Sequence, residues 1–177
     1  MASSLDLGVA RLDTLPENEA RAALLRCCGS ARWASLMLDA RPYRDADRLF
    51  EAAERAWAAT EAADWLEAFS HHPRIGDRTA LEARFAATRA WSSGEQGGVT
   101  TAANDVLDAL AEGNSTYEAR FGHVFLVCAS GKTAPEMLEL LHRRLPNAPE
   151  TELRVAAGEQ SRITRLRLSR LLQELTP

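Results

Sequence analysis

Residues 133–145 have the sequence TAPEMLELLHRRL, which contains the signals of an amphipathic helix. Thr133 and Glu136 have the spacing of a capping box, in which each side chain binds the backbone N–H of the other residue. The apolar residues that follow share one helical face: Met137, Leu138, Leu141 and Leu145. Pro149 then begins a final long helix, which we expect to reach about Glu174.

The same signals recur along the rest of the chain. Thr14 and Glu17 have the spacing of a capping box, and Pro16 suits a first helical turn. Helix starts are predicted at Thr14, Ser30, Asp45, Thr60 and Thr79, and helix ends at Gly29, before Pro42, at Pro73 and at Gly113. Residues 114–121 could add another turn or two.

One segment departs from this pattern. Residues 124–128, with the sequence VFLVC, are apolar and mostly β-prone, and alone they fit either a buried extended segment or a helix. The chain has no linker, repeat or low-complexity stretch, and this segment has no partner strand. The sequence therefore predicts an all-α single domain over residues 1–177, with seven to nine helices and one short extended apolar segment.

Composition excludes several classes of function. Apolar residues make up 46% of the 177 residues, but no run approaches the roughly 18 that a membrane span needs. The net charge is −4 and the arginines are scattered among acids, which argues against nucleic-acid binding. The start of the chain lacks the pattern of a secretory signal. Three cysteines without disulfide spacing suit a reducing compartment, so we expect a cytoplasmic protein.

The first candidate site residue is His72. Because Pro73 disfavours helical backbone at the preceding residue, His72 should lie just beyond the carboxyl end of a helix. Unpaired carbonyls and the negative helix pole favour an imidazolium there, so His72 could hold or deliver a proton near neutral pH. A helix C-cap without catalytic duty is the alternative, and His71 is interpreted as a bystander.

A second candidate is the stretch that contains Ser92, Glu95 and Gln96. Ser92 and Glu95 match a capping box, so a plain helix start is the alternative, and spacing alone favours it over a site. The following pair, Gly97 and Gly98, costs on the order of 1 kcal/mol per residue in a helix relative to alanine. That choice suits a place where a ligand or a neighbouring segment approaches the backbone closely.

The third candidate is Arg167. It lies four residues after Ile163 and four before Leu171, on or beside the apolar face of the last helix. An arginine that points inward needs an anionic partner, whereas one at the edge of the face covers apolar surface with its stem. Helical periodicity leaves both interpretations open.

Other chemistries have no support in the sequence. The four histidines lack the spacing of a metal site, so no metal is predicted. No glycine-rich phosphate loop follows a strand, and no nucleophile elbow of the Gly-x-Ser-x-Gly type is present.

Taken together, the sequence resembles the 2-oxo-4-hydroxy-4-carboxy-5-ureidoimidazoline (OHCU) decarboxylase family. The resemblance runs from about Leu12 to Leu172. It is carried by residues 65–76 (WLEAFSHHPRIG), 91–96 (WSSGEQ), 117–133 (YEARFGHVFLVCASGKT) and 163–168 (ITRLRL). None of these motifs is specific alone, but their order and separation together identify the family.

The resemblance implies an all-helical, cofactor-free enzyme, usually a homodimer, that forms (S)-allantoin during urate degradation. It assigns the catalytic histidine to His72, the acidic residue to Glu95 and the substrate-binding arginine to Arg167. The remaining pocket positions match Pro73, Ser92, Gln96 and the backbone near Leu126 and Val127. In relatives Ser or Ala often follows the Glu-Gln pair, so Gly97-Gly98 is a departure that concerns the local helix start.

Two other functions stay open at this point. A related decarboxylase could act on another ureido acid, or a non-catalytic helical module could bind the ligand without turnover. Release of carbon dioxide from the urate-derived intermediate distinguishes an OHCU decarboxylase from a decarboxylase of another ureido acid. Stabilisation by the ligand without formation of product identifies a non-catalytic binding module.

Overall fold

The structure is a computed structural model that describes residues 3–72 and 98–176, the side chains of 98–104 excepted. Within these residues there are eight helices and no strand. They are α1 (Ser4–Thr14), α2 (Glu17–Cys27), α3 (Ala31–Asp39), α4 (Ala46–Ala58), α5 (Ala62–Ser70), α6 (Gly98–Phe121), α7 (Ala134–Arg144) and α8 (Pro149–Leu175). The all-α prediction and its helix number are confirmed, whereas the helix predicted from Thr79 lies outside the described residues.

The chain forms two compact units. The first comprises Met1–His71 and Ala157–Pro177, and the second comprises His72–Ala156. The prediction of one domain over residues 1–177 stays a prediction. Among the described helices, none has the length and apolar character that crossing a bilayer requires.

Local capping explains where several helices begin. The hydroxyl of Ser30 accepts from the backbone N–H of Trp33, and the carboxylate of Asp45 accepts from that of Arg48. Thr133 begins α7 with a complete capping box. Each of these starts was predicted, because a cap depends only on residues a few positions apart.

Two predicted starts are wrong. Thr14 is the last residue of α1 and bonds the Arg11 carbonyl, so α2 begins after Pro16 without a side-chain cap. Thr60 precedes the N-cap of α5, which is Glu61. The Thr60 hydroxyl instead accepts a hydrogen bond from the Trp65 indole N–H at 2.9 Å, so Thr60 binds a side chain and does not cap the helix.

Helix α1 was missed by the sequence analysis. Ser3 and Asp6 form a capping box at its start, a signal that was present at residues 3–6. Val9 and Leu12 are fully buried on the inner face of the helix. Near the other end of the chain, the Thr176 hydroxyl donates to the Ser4 carbonyl at 2.9 Å, which joins the two ends within the first unit.

The predicted end at Gly113 is also wrong, because α6 continues through it to Phe121. A Cβ atom on Gly113 would lie 2.5 Å from the Leu141 side chain of α7. The glycine therefore allows close helix packing here and does not end the helix.

The second unit has its own apolar core, which surrounds a non-helical segment. The buried members are Leu107, Leu110, Tyr117, Phe125, Val127, Met137 and Leu141. Residues 124–129 belong to neither a helix nor a strand, as expected for the short apolar segment. Their side chains hold this segment between α6 and α7.

Candidate active site

His72 lies where the sequence predicted, just past the carboxyl end of α5. The helix ends at Ser70, and His71 is its C-cap, with its N–H bonded to the Ala68 carbonyl at 3.3 Å. His72 is half-buried and non-helical. The cap position considered for His72 is therefore occupied by its neighbour.

The position of His71 depends on Gly29, which joins α2 to α3. A Cβ atom on Gly29 would lie 2.5 Å from two ring carbons of His71 and 2.8 Å from its Cβ. A side chain on residue 29 would thus displace the end of α5 next to His72. Gly29 was predicted only as a helix end, since nothing in the neighbouring sequence indicates the approach of α5.

Arg167 lies half-buried on α8, beside the carboxyl end of α2. Its Nη1 is 3.5 Å from the Cys27 carbonyl oxygen, the negative end of that helix. Among the described residues it forms no ion pair. Most of its N–H groups therefore remain available for an anion, as far as the described residues are concerned.

The two thiols near Arg167 are buried. Burial raises the pKa of Cys27 to about 12 and that of Cys28 to about 11, and the positive charge of Arg167 opposes the rise in both. The thiols therefore remain protonated near neutral pH and give Arg167 no negative charge to pair with.

Leu126 and Val127 lie in the non-helical segment and are 2% and 5% exposed. Buried backbone polar groups need partners, and two carbonyls of this segment bind cationic side chains. Arg144 donates through Nη1 to the Leu126 carbonyl at 2.6 Å, and Lys132 donates through Nζ to the Cys128 carbonyl at 2.8 Å.

A buried polar network surrounds Arg144, and the sequence analysis missed it. Glu152 is 0% exposed and accepts from Arg144 Nε at 2.7 Å, from Asn147 Nδ2 at 2.7 Å and from the Tyr117 hydroxyl. Burial and then the neighbouring Glu152 raise the pKa of Tyr117 far above its usual range, so its hydroxyl stays a donor.

The other predicted site residues, Pro73, Ser92, Glu95 and Gln96, lie outside the described residues. His72, Leu126 and Val127 belong to the second unit and Arg167 to the first. That all of these residues surround one substrate stays a prediction. In the described part of the chain, no group of three or more metal-ligating side chains occurs.

Comparison with known proteins identifies the family. The family model described as OHCU decarboxylase matches residues 13–169. The chain belongs to the OHCU decarboxylase family. That match includes every residue proposed above for the site of this family member.

Relatives and solved structures agree with the assignment to OHCU decarboxylases. The bifunctional uric acid degradation protein TTL of Arabidopsis thaliana is 36% identical over 148 residues, which are 84% of this chain and 46% of that protein. This chain therefore spans about half of that relative. The 2-oxo-4-hydroxy-4-carboxy-5-ureidoimidazoline decarboxylase of Haloferax volcanii is 28% identical over 129 residues, 73% of this chain and 74% of that protein.

Two crystal structures have a fold similar to that of this chain. An OHCU decarboxylase crystallised in the presence of (S)-allantoin has a TM-score of 0.67 and 36% identity, and the match covers 84% of this chain and 95% of that one. An (S)-allantoin synthase has a TM-score of 0.67 at 21% identity, with coverage of 92% and 53%, so its likeness concerns the fold alone.

Proposed function

We propose that this chain removes the carboxylate of OHCU and releases carbon dioxide and (S)-allantoin, as a step in urate degradation. The observation that carries the proposal is the family match over residues 13–169, which contains His72, Glu95 and Arg167 together. The solved OHCU decarboxylase at 36% identity, crystallised with (S)-allantoin, supports the choice of product.

The proposed reaction breaks the bond between the ring carbon and its carboxylate. The electron pair left on that carbon passes into the conjugated imidazoline ring, and a proton is then added to one face. Since the substrate itself accepts the electrons, the proposal needs no cofactor and no metal. The protein has to bind the anion, orient it and handle the proton.

Arg167 is proposed to bind the anionic substrate through paired hydrogen bonds. Its half-buried position and its long 3.5 Å contact with the Cys27 carbonyl support this role, because a guanidinium so placed gains a better partner when an anion arrives. Glu95, Ser92 and Gln96 are proposed to hold the hydroxyl and amide groups of the substrate, as the family resemblance implies.

His72 is proposed to lie beside the departing carboxylate and to assist protonation. The carboxyl end of α5, directly before it, favours the charged imidazolium. A histidine whose pKa lies near neutrality can both hold and deliver a proton at that pH.

The test is release of carbon dioxide from OHCU generated freshly from urate. Wild-type protein should form (S)-allantoin, and His72→Ala should lower turnover by about 100-fold or more. His71→Ala is the matched control, since it removes the adjacent exposed imidazole, and it should stay within about twofold of wild type. Equal rates for the wild type and His72→Ala would remove His72 from the proton transfer.

The same assay separates the two alternative functions. If (S)-allantoin raises the unfolding temperature of the wild type but OHCU releases no carbon dioxide, the chain is a binding module. If another ureido acid is decarboxylated and OHCU is not, the substrate assignment is wrong.

A homodimer and a cytoplasmic location are further parts of the proposal. The buried thiols of Cys27 and Cys28 form no disulfide, which supports a reducing compartment. Sedimentation equilibrium of the purified chain tests the dimer, and a monomer at micromolar concentration would contradict it.

A further inference from the structure

The segment that contains Leu126 and Val127 is held by side chains. It lies in neither a helix nor a strand, so its backbone lacks the hydrogen bonds that regular structure supplies. Phe125, Leu126 and Val127 are at most 5% exposed, which leaves little access for water. The conformation of this buried backbone therefore depends on the groups that bind its carbonyls.

Arg144 provides the central contact. It is the last residue of α7 and is 7% exposed. Its Nη1 donates to the Leu126 carbonyl at 2.6 Å, while its Nε donates to Glu152 at 2.7 Å. The guanidinium carbon also lies 4.6 Å from the centre of the Phe125 ring, within cation–π range. One planar group thus contacts two consecutive residues of the segment.

Glu152 fixes the orientation of that planar group. The carboxylate lies in the first turn of α8 and accepts from Arg144, Asn147 and Tyr117. With Nε and Nη2 of Arg144 turned towards Glu152 and the Tyr117 hydroxyl, Nη1 can point only towards Leu126. A lysine offers a single point charge and could not satisfy the carboxylate and the carbonyl in the same geometry.

We propose that Arg144, oriented by Glu152, is a positioning residue that sets the backbone of Leu126 and Val127 for contact with the substrate. The inference rests on the proposed function, in which this backbone borders the substrate. Arg144 does not touch the substrate in this scheme and acts through the Leu126 carbonyl.

The test compares three variants with the wild type. Arg144→Lys keeps the charge but loses the planar fork. Tyr117→Phe removes one donor to Glu152 and one acceptor of Arg144 Nη2, and it leaves the hydrogen bonds of Arg144 to Glu152 and to the Leu126 carbonyl. Arg143→Met is the surface control on the same helix, since the interaction of Arg143 within the described part of the chain is an exposed ion pair with Glu139 at 3.3 Å.

Two readouts are needed: steady-state kinetics with OHCU, and amide hydrogen exchange of a peptide that covers residues 122–131. Arg144→Lys should raise KM by about tenfold or more. It should also accelerate amide hydrogen exchange in that peptide while exchange in α6 and α7 stays close to that of the wild type. Arg143→Met should match the wild type within about twofold in both readouts. Tyr117→Phe should unfold at a lower temperature with nearly unchanged KM, because the Leu126 contact remains.

The outcomes are distinguishable. If wild type releases carbon dioxide and Arg144→Lys keeps the wild-type KM, the positioning role is overturned while the proposed function stands. If Tyr117→Phe raises KM as much as Arg144→Lys, the effect is a general loss of structure and the inference also fails. If the wild type itself has no activity on OHCU, the proposed function fails and this inference fails with it.

Discussion

Replacing Gly8 with alanine should destabilise the first unit, because there is no room for a methyl group at the contact between α1 and α8. An added Cβ would lie 2.2 Å from the Leu172 carbonyl oxygen and 2.8 Å from the Leu172 carbonyl carbon and Cα. All three are backbone atoms, so no side-chain rotation can relieve the clash. One helix would have to move away from the other.

The size of the effect follows from two opposing contributions. Ordinary contact begins near 3.4 Å, so the helices would have to separate by about 1 Å in a region where Val9 and Leu12 are fully buried. Overpacking of this kind costs about 1–3 kcal/mol. Alanine regains about 0.5–1 kcal/mol of helix propensity. Since backbone must move, we place the overpacking cost at about 3 kcal/mol, and the gain in helix propensity leaves an expected net loss of about 2 kcal/mol in the free energy of unfolding.

Gly158 supplies the matched control, since it is an exposed glycine in α8 whose added Cβ would meet nothing within 4 Å. Gly158→Ala should stabilise the protein by about 0.5–1 kcal/mol. Urea unfolding followed by tryptophan fluorescence suits both variants, because Trp33 is fully buried in the same unit. A Gly8→Ala protein as stable as wild type would refute the packing argument.

Two further predictions concern the site. Gly29→Ala should lower kcat/KM by up to about 100-fold, because the new Cβ would lie 2.8 Å from the His71 Cβ, which no side-chain rotation can move away, and shifts of about 1 Å beside His72 can cost that much. Unchanged kinetics would contradict it. Raised pKa values keep Cys27 and Cys28 protonated when folded, whereas unfolded thiols ionise above about pH 9. The free energy of unfolding should therefore keep the full contribution of the thiols below pH 9 and fall by up to about 1.4 kcal/mol per pH unit per thiol towards pH 11. Urea titrations should find a smaller slope in a Cys27→Ala/Cys28→Ala variant, in which Tyr43 and Tyr117, whose pKa values burial also raises, still contribute.

The parts of the fold that could be predicted are those governed by neighbours in sequence. Ser30, Asp45 and Thr133 cap helices through residues three positions later, and the position of Pro73 in the sequence predicted that α5 ends before it. Gly113 was misinterpreted because its reason lies on α7, at Leu141, and no local pattern shows that contact.

The candidate site also contains residues that neighbours in sequence predict and residues whose contacts form only in the folded chain. The place of His72 after a helix could be predicted from Pro73 alone, and Leu126 and Val127 were proposed as site residues through the family resemblance. The network of Arg144, Glu152 and Tyr117 could not be predicted from the sequence, because Tyr117 and Glu152 are 35 positions apart and meet only in the folded chain. Periodicity also left open the direction of Arg167, since a position at the edge of an apolar face fits both a ligand contact and a covering side chain.

The hydrogen bond between Thr176 and the Ser4 carbonyl has a consequence for protein engineering. Two points at opposite extremes of the sequence are held within 2.9 Å of each other, so a short glycine-rich bridge could join them without stretching either helix. Circular permutants built on such a bridge between residues 4 and 176 should keep the α1–α8 contact.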